Sequence, residues 1–248
     1  MIRKLISSIK ILLYHARMLV MTSNDYCIYL RERGVKVGNG VNFRYPAHTL
    51  IDLTRPSLLE IGNNVDINDN FTMLSHDFGA FALRGKYGEF VNSSGGSKIG
   101  NNVVIGRNVT MLKGSSIGNN CIVALGSVIT KSIPDNSVVA GIPAKVICSI
   151  DEYYQKRKSK QIDEALEYGC SIIKRFSRQP RIEDFTEEWV LFLTNQEYEE
   201  NEYIRKQVDF RLKGYADIDE FLAKEKPYKG YADFLAAINE RAANHTSL

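Results

Sequence analysis

Residues 99–134, cut into sixes, read IGNNVV, IGRNVT, MLKGSS, IGNNCI, VALGSV and ITKSIP, which places Ile99, Ile105, Met111, Ile117, Val123 and Ile129 in one phase. At a background of about one in four, six large aliphatics fall in register by chance roughly once in four thousand trials. An earlier block, IGNNVD, INDNFT, MLSHDF at 61–78, keeps the phase through Ile61, Ile67 and Met73, and a weaker one, VGNGVN then FRYPAH, opens at Val37. Four positions further on stand small or apolar residues: Val65, Phe71, Val103, Val109, Ser115, Cys121 and Ser127. A period of six is too short for a helix pair and too long for simple strand alternation. It predicts one short strand and a turn per six, with three sixes closing a triangular coil and coils stacked about 4.8 Å apart. Asn63, Asn64, Asn101, Asn102, Asn119 and Asn120 fall at corners, where asparagine tolerates left-handed backbone and bonds its neighbours.

The rest of the chain has a different texture. Net charge is +5 over residues 1–40, +2 over 41–148 and −4 over 149–248, a total of +3 across 248 residues. That balance is too even to make nucleic acid the expected partner. Cys27, Cys121, Cys148 and Cys170 are widely spaced with no CxxC pair, which points to reduced thiols and no metal site. No 18-residue apolar run predicts a membrane span. Residues 2–16 carry apolar side chains at helical spacing, so residues 1–34 are expected to form an N-terminal helical segment. Its apolar stripe is read as packing on protein, with peripheral membrane contact through residues 1–21 as the alternative. NDYCIYLRER at 24–33 reads as a second helix, started by Asn24 and stopped by Gly34, that caps the coil. The coil is expected over 35–149, and a C-terminal domain of about four helices over 150–248.

The beat breaks between Met73 and Ile99, where 26 residues stand in place of a multiple of six, so a loop over 77–97 leaves the wall. Loops on rigid scaffolds carry function, and His76 stands at the root of this one. Together with the I-G-x-N hexads and the ending VITKSIPDNSVVAGIPAKVI at 128–147, that histidine makes residues 35–148 resemble the hexapeptide-repeat acyltransferases. These are a left-handed parallel β-helix superfamily that includes galactoside, maltose, serine and xenobiotic acetyltransferases, and the general look is of cell-surface polysaccharide O-acetyltransferases.

The resemblance implies direct acetyl transfer from acetyl-CoA to a sugar hydroxyl, with His76 as general base. Arg107, Leu125, Gly126, Thr130, Lys131 and Lys145 match the family's cofactor route, with Lys131 and Lys145 near the phosphates. An ungapped match of AHTLIDLTRPSLLEIG at 47–62 puts His48 on the family's acceptor-contacting asparagine. Asp77, Glu89 or a main-chain carbonyl is expected beside His76 to fix its tautomer, and no carboxylate–histidine pair is singled out. Val104 stands where the family often has a tryptophan beside the pantetheine arm, a departure that bears on the acceptor pocket. The resemblance also implies a homotrimer with shared sites, in the cytoplasm or at the inner face of the membrane. Two further readings stand beside it: N-acetylation of a nucleotide-linked amino sugar, and a non-catalytic trimeric scaffold.

Overall fold

The computed structural model describes residues 20–212 and 216–245. The expected helix over residues 2–16 lies outside them. Two compact units divide at Tyr154/Gln155.

The first unit is built on the six-residue beat. One parallel sheet stacks β1 (Lys36–Val37), β4 (Leu59–Ile61), β7 (Ser97–Ile99) and β10 (Ser116–Ile117). A second stacks β2 (Asn42–Phe43), β5 (Val65–Ile67), β8 (Val103–Ile105) and β11 (Cys121–Val123). It is finished by β13 (Ser137–Ala140) and an antiparallel β14 (Lys145–Ser149). The third stacks β3 (Leu50–Ile51), β6 (Thr72–Met73), β9 (Thr110–Met111) and β12 (Val128–Ile129). From β1 to β12 the chain visits the three sheets in strict rotation, so every three strands complete one rung.

Register turns the sequence phase into ladders. Ile61, Ile99 and Ile117 stack in the first sheet, Ile67, Ile105 and Val123 in the second, and Ile51, Met73, Met111 and Ile129 in the third. Apart from Ile51 these residues are at most 1% exposed, and so are Val65, Phe71, Val103, Val109, Ser115, Cys121 and Ser127. Both inward positions of each six are therefore core. Burying one such aliphatic contributes about 1.5–3 kcal/mol, enough for a column of strands two or three residues long to hold its shape.

The corner between the first and second sheets is a polar ladder. The amides of Asn39, Asn63, Asn101 and Asn119 each donate at 2.8 Å to the side-chain oxygen of residue 63, 101, 119 or 135 on the next rung. Asn64, Asn102, Asn120 and Asn136 hold φ between 53° and 58°, the left-handed conformation asparagine accepts more readily than most residues. The glycine of the hexad answers to close approach: a Cβ on Gly100 would stand 2.6 Å from the Gly118 carbonyl oxygen.

A helix, α1 (Ser23–Glu32), packs Tyr26, Cys27, Tyr29 and Leu30 onto the open end of the ladder. Its start differs from the expected one: Thr22, not Asn24, is the cap, exchanging bonds with Asp25 in a capping box. The repeat is also broken more than once. Single turns of 3-10 helix at Pro46–His48 and Pro56–Leu58 lengthen two corners of the first rung.

The second unit packs helices around Phe185, Trp189, Phe192 and Phe234. Its elements begin with α3 (Ile150–Phe176), which crosses the unit boundary, and end with α7 (Tyr231–His245). Between them the helical spacing of 182–212 resolves into short pieces, α4 (Asn195–Glu200) and α5 (Glu202–Leu212) after two 3-10 turns, because Thr194 starts a new capping box with Glu197. A six-residue α6 (Ile218–Ala223) follows. Among the described residues no helix is long and apolar enough to cross a membrane.

Candidate active site

The three corners of the coil differ in chemistry. The first is the asparagine ladder. The second, between the second and third sheets, carries His48, Asp69, Arg107, Leu125 and Gly126. The third, between the third sheet and the first, carries Asp52, His76, Lys113, Thr130 and Lys131.

At the third corner the loop leaves from His76 and returns at Ser94, bridged to it and tied by the Gly95 amide to the Ser75 carbonyl at 3.0 Å. The loop holds a short helix, α2 (Ala80–Tyr87), which ends on Gly88 at φ 71°. His76 is fixed from the rung below. β3 and β6 pair Ile51 with Met73, so the residues that follow each strand, Asp52 and Leu74–His76, leave the wall together. The Asp52 carboxylate accepts from the Ser75 amide at 2.9 Å and the Ser75 hydroxyl at 2.5 Å through Oδ2. Its Oδ1 accepts from the Thr54 amide at 3.1 Å and the Thr54 hydroxyl at 2.7 Å. The same Oδ2 lies 2.5 Å from His76 Nδ1.

Burial works to raise the Asp52 pKa. The bonds from the Ser75 hydroxyl, Thr54, His76 and the Ser75 amide overcome it and hold the carboxyl well below the usual carboxylate range. An ionised carboxylate only accepts, so the proton of a neutral His76 ring sits on Nδ1 and Nε2 keeps its lone pair. Among the described residues no group bonds Nε2, and the side chain is 15% exposed. The result is an imidazole held in one tautomer with Nε2 unbonded and the side chain partly exposed, the arrangement a general base requires.

The expected tautomer partners lie elsewhere. Asp77 is exposed, accepts from the Gly79 amide at 2.9 Å and faces Lys113 at 3.2 Å. Glu89 is exposed beyond α2. Asp52 is the carboxylate that sequence reasoning passed over, and it forms the carboxylate–histidine pair that was not singled out. Two signals pointed to it: the D-x-T turn at 52–54, and the ladder position of Ile51 directly beneath Met73.

His48 occupies the second corner. Its Nδ1 lies 2.8 Å from Asp69 Oδ1, and Arg107 donates to Asp69 Oδ2 at 2.6 Å, so one carboxylate holds both side chains. The Arg107 bond first, then the His48 bond, lower the Asp69 pKa. The Gly126 amide donates to the Arg107 carbonyl at 2.8 Å, stacking Gly126 and its neighbour Leu125, 75% exposed, on this corner. Gly126 takes φ 71° there, which accounts for the glycine by backbone geometry. Thr130 and Lys131 are exposed on the third corner instead, two rungs from His76 or about 10 Å along the stack. Lys145 is exposed at the start of β14. Within one copy five of the six expected cofactor residues are thus divided between corners on opposite edges of the third sheet, with Lys145 on β14, and Arg107 stands with His48.

A family model described as bacterial transferase hexapeptide (six repeats) matches residues 96–131. Protein CapG of Staphylococcus aureus is 42% identical over 127 residues, which is 51% of this chain and 73% of CapG. Galactoside O-acetyltransferase of Escherichia coli (strain K12) is 40% identical over 100 residues, 39% of this chain and 48% of that protein. The putative lipopolysaccharide biosynthesis O-acetyl transferase WbbJ of the same strain is 53% identical over 49 residues, 20% of this chain and 25% of WbbJ.

Proposed function

The chain belongs to the bacterial hexapeptide-repeat transferase family and is an acetyltransferase, and on that premise we propose that it moves an acetyl group from acetyl-CoA directly to a hydroxyl of a surface polysaccharide or its precursor. The observation that carries the reading is the His76–Asp52 pair at the root of the loop, bonded through Nδ1 with the His76 side chain partly exposed. Nε2 takes the proton of the acceptor hydroxyl as its oxygen bonds to the thioester carbonyl carbon. The tetrahedral adduct then expels the CoA sulfur, breaking the C–S bond, and the imidazolium returns the proton to that thiolate. The acceptor and the thioester supply every atom, and no covalent enzyme intermediate is needed. Asp52 holds Nδ1–H throughout and favours the imidazolium in the transition state.

The acetyl-CoA route runs along the coil corners, with Lys131 and Lys145 as cations for its phosphates. The division of Arg107, Leu125 and Gly126 from Thr130 and Lys131 favours a homotrimer, in which the second corner of one left-handed coil meets the third corner of the next. The acceptor class is supported by the names of the similar proteins, one acting on galactosides and one placed in lipopolysaccharide biosynthesis. The use of acetyl-CoA as donor supports a location in the cytoplasm or at the inner face of the membrane.

The test is acetyl transfer followed by thiol release over a panel of sugar hydroxyl and amine acceptors. His76→Ala is expected to lose about 10²–10⁴-fold in kcat; wild-type turnover in that variant would refute the mechanism. Turnover of amino sugars alone would replace the hydroxyl acceptor with an amine.

A further inference from the structure

The loop that begins at His76 carries an apolar surface that the coil does not use. Phe78, Phe81 and Phe90 are 71%, 56% and 63% exposed, whereas the coil's own Phe43 and Phe71 are fully buried. The three exposed rings form a continuous chain that starts on the imidazole. Phe78 meets His76 edge-on with ring centroids 4.9 Å apart, Phe81 lies 6.3 Å beyond Phe78, and Phe90 lies 6.3 Å beyond Phe81. Arg84 covers one face of Phe81 at 5.1 Å, so Phe78 and Phe90 offer the freer faces. A surface loop needs no aromatic residues to close, and contiguous exposed rings mark a contact.

What touches this strip follows from where it starts. The reacting hydroxyl sits at His76 Nε2, so the part of the acceptor beyond that hydroxyl passes over the adjoining rings. One face of a pyranose ring is a set of C–H bonds with slightly positive hydrogens, which rest on the negative face of an aromatic ring. A step of 6.3 Å between rings suits consecutive sugars. We propose that Phe78, Phe81 and Phe90 are a rail for the acceptor that binds the sugars next to the one acetylated, so that the enzyme acts on linked sugars in preference to a single one. The inference rests on the reading of His76 as the place of transfer.

The full chain, Phe90→Ala and Phe90→Tyr serve as the test, because Phe90 lies at the end of the ring chain away from His76. Purified capsular polysaccharides and O-antigen chains are compared with their single-sugar components. Three quantities are measured: kcat/KM for polymer and for single sugar, retardation in native gels cast with the same polymers and no acetyl-CoA, and mass by light scattering. Phe90→Ala is expected to lower the polymer-to-single-sugar ratio by about tenfold, one aromatic contact's worth, and to lose retardation, while Phe90→Tyr keeps both. An unaltered ratio overturns the rail. A changed oligomeric mass in Phe90→Ala also overturns it, because the ring then holds a second copy. If the wild-type chain acetylates no sugar, the proposed function fails by itself and the gels still decide: retardation that Phe90→Ala abolishes keeps the rail, and no retardation removes it.

Discussion

Two histidines of the coil hold an aspartate through Nδ1, yet their surroundings differ. His76 and Asp52 are 15% and 5% exposed, and Ser75 and Thr54 fill the remaining capacity of the carboxylate. His48 is 54% exposed, and its Asp69 shares its charge with Arg107, itself 62% exposed. A histidine against an aspartate is therefore not a catalytic pair by composition. At the third corner every donor around the carboxylate steadies one imidazole, whereas at the second corner the carboxylate is divided between two side chains that both reach solvent. The first arrangement suits proton transfer, and the second suits holding a polar ligand.

The largest effect that separates the pairs is on turnover. Asp52→Asn keeps the size of the side chain but lets it donate to Nδ1, favouring the tautomer whose proton sits on Nε2. A loss of about 10²–10³-fold in kcat is expected, with KM for acetyl-CoA little changed. Asp69→Asn, the matching change at the other corner, is expected to lose less than about tenfold, mainly through KM for the acceptor. Steady-state kinetics on the two variants decides the comparison. Equal losses in kcat would mean that burial and the Ser75 and Thr54 bonds do not distinguish the pairs.

Which parts of this contrast were legible in the sequence follows from how each residue is specified. Ile99, Ile105 and Met111 are set by a period, and a period is visible in one chain because burial repeats it at every rung. The excursion at His76 was visible as a failure of that period. Asp52 was harder to see: it lies 24 positions from His76, and its place depends on the first rung, where the turns at Pro46–His48 and Pro56–Leu58 blur the beat. Asp77 stands beside His76 in sequence, but its side chain turns to the Gly79 amide and Lys113. Adjacency in the chain was a weaker guide than adjacency of rungs. The pairing of His48 with Arg107 through Asp69 was hidden for the same reason, since the three residues come from three successive rungs.

A smaller effect lies in the acceptor. His48→Ala removes an exposed ring stacked on Tyr45, with centroids 6.1 Å apart, and leaves Asp69 paired with Arg107. Acceptor KM is expected to rise by about three- to tenfold with kcat within about twofold of wild type, measured with acetyl-CoA saturating. A kcat loss on the scale expected for Asp52→Asn would make the second corner part of the proton path and undo the division drawn above.

The smallest effect is on stability against acid, and it again singles out Asp52. Its carboxyl is held below the ordinary value of 3.8 in the folded chain, by bonds that outweigh the opposing cost of burial. A group whose pKa is depressed by folding binds fewer protons folded than unfolded, so its contribution is complete above about pH 4 and drains away as pH falls through the folded value. Asp52→Asn cannot titrate. Its denaturant midpoint is therefore expected to sit below that of wild type near pH 7 and to fall less steeply between about pH 4 and pH 2, so that the two curves converge in acid. Asp69→Asn tests the contrast in the same measurement, because a carboxylate shared by His48 and Arg107, both more than half exposed, is screened by solvent and its removal should shift the midpoint less. A steeper acid slope in Asp52→Asn than in wild type would mean that the Ser75, Thr54 and His76 bonds do not hold the ionised form.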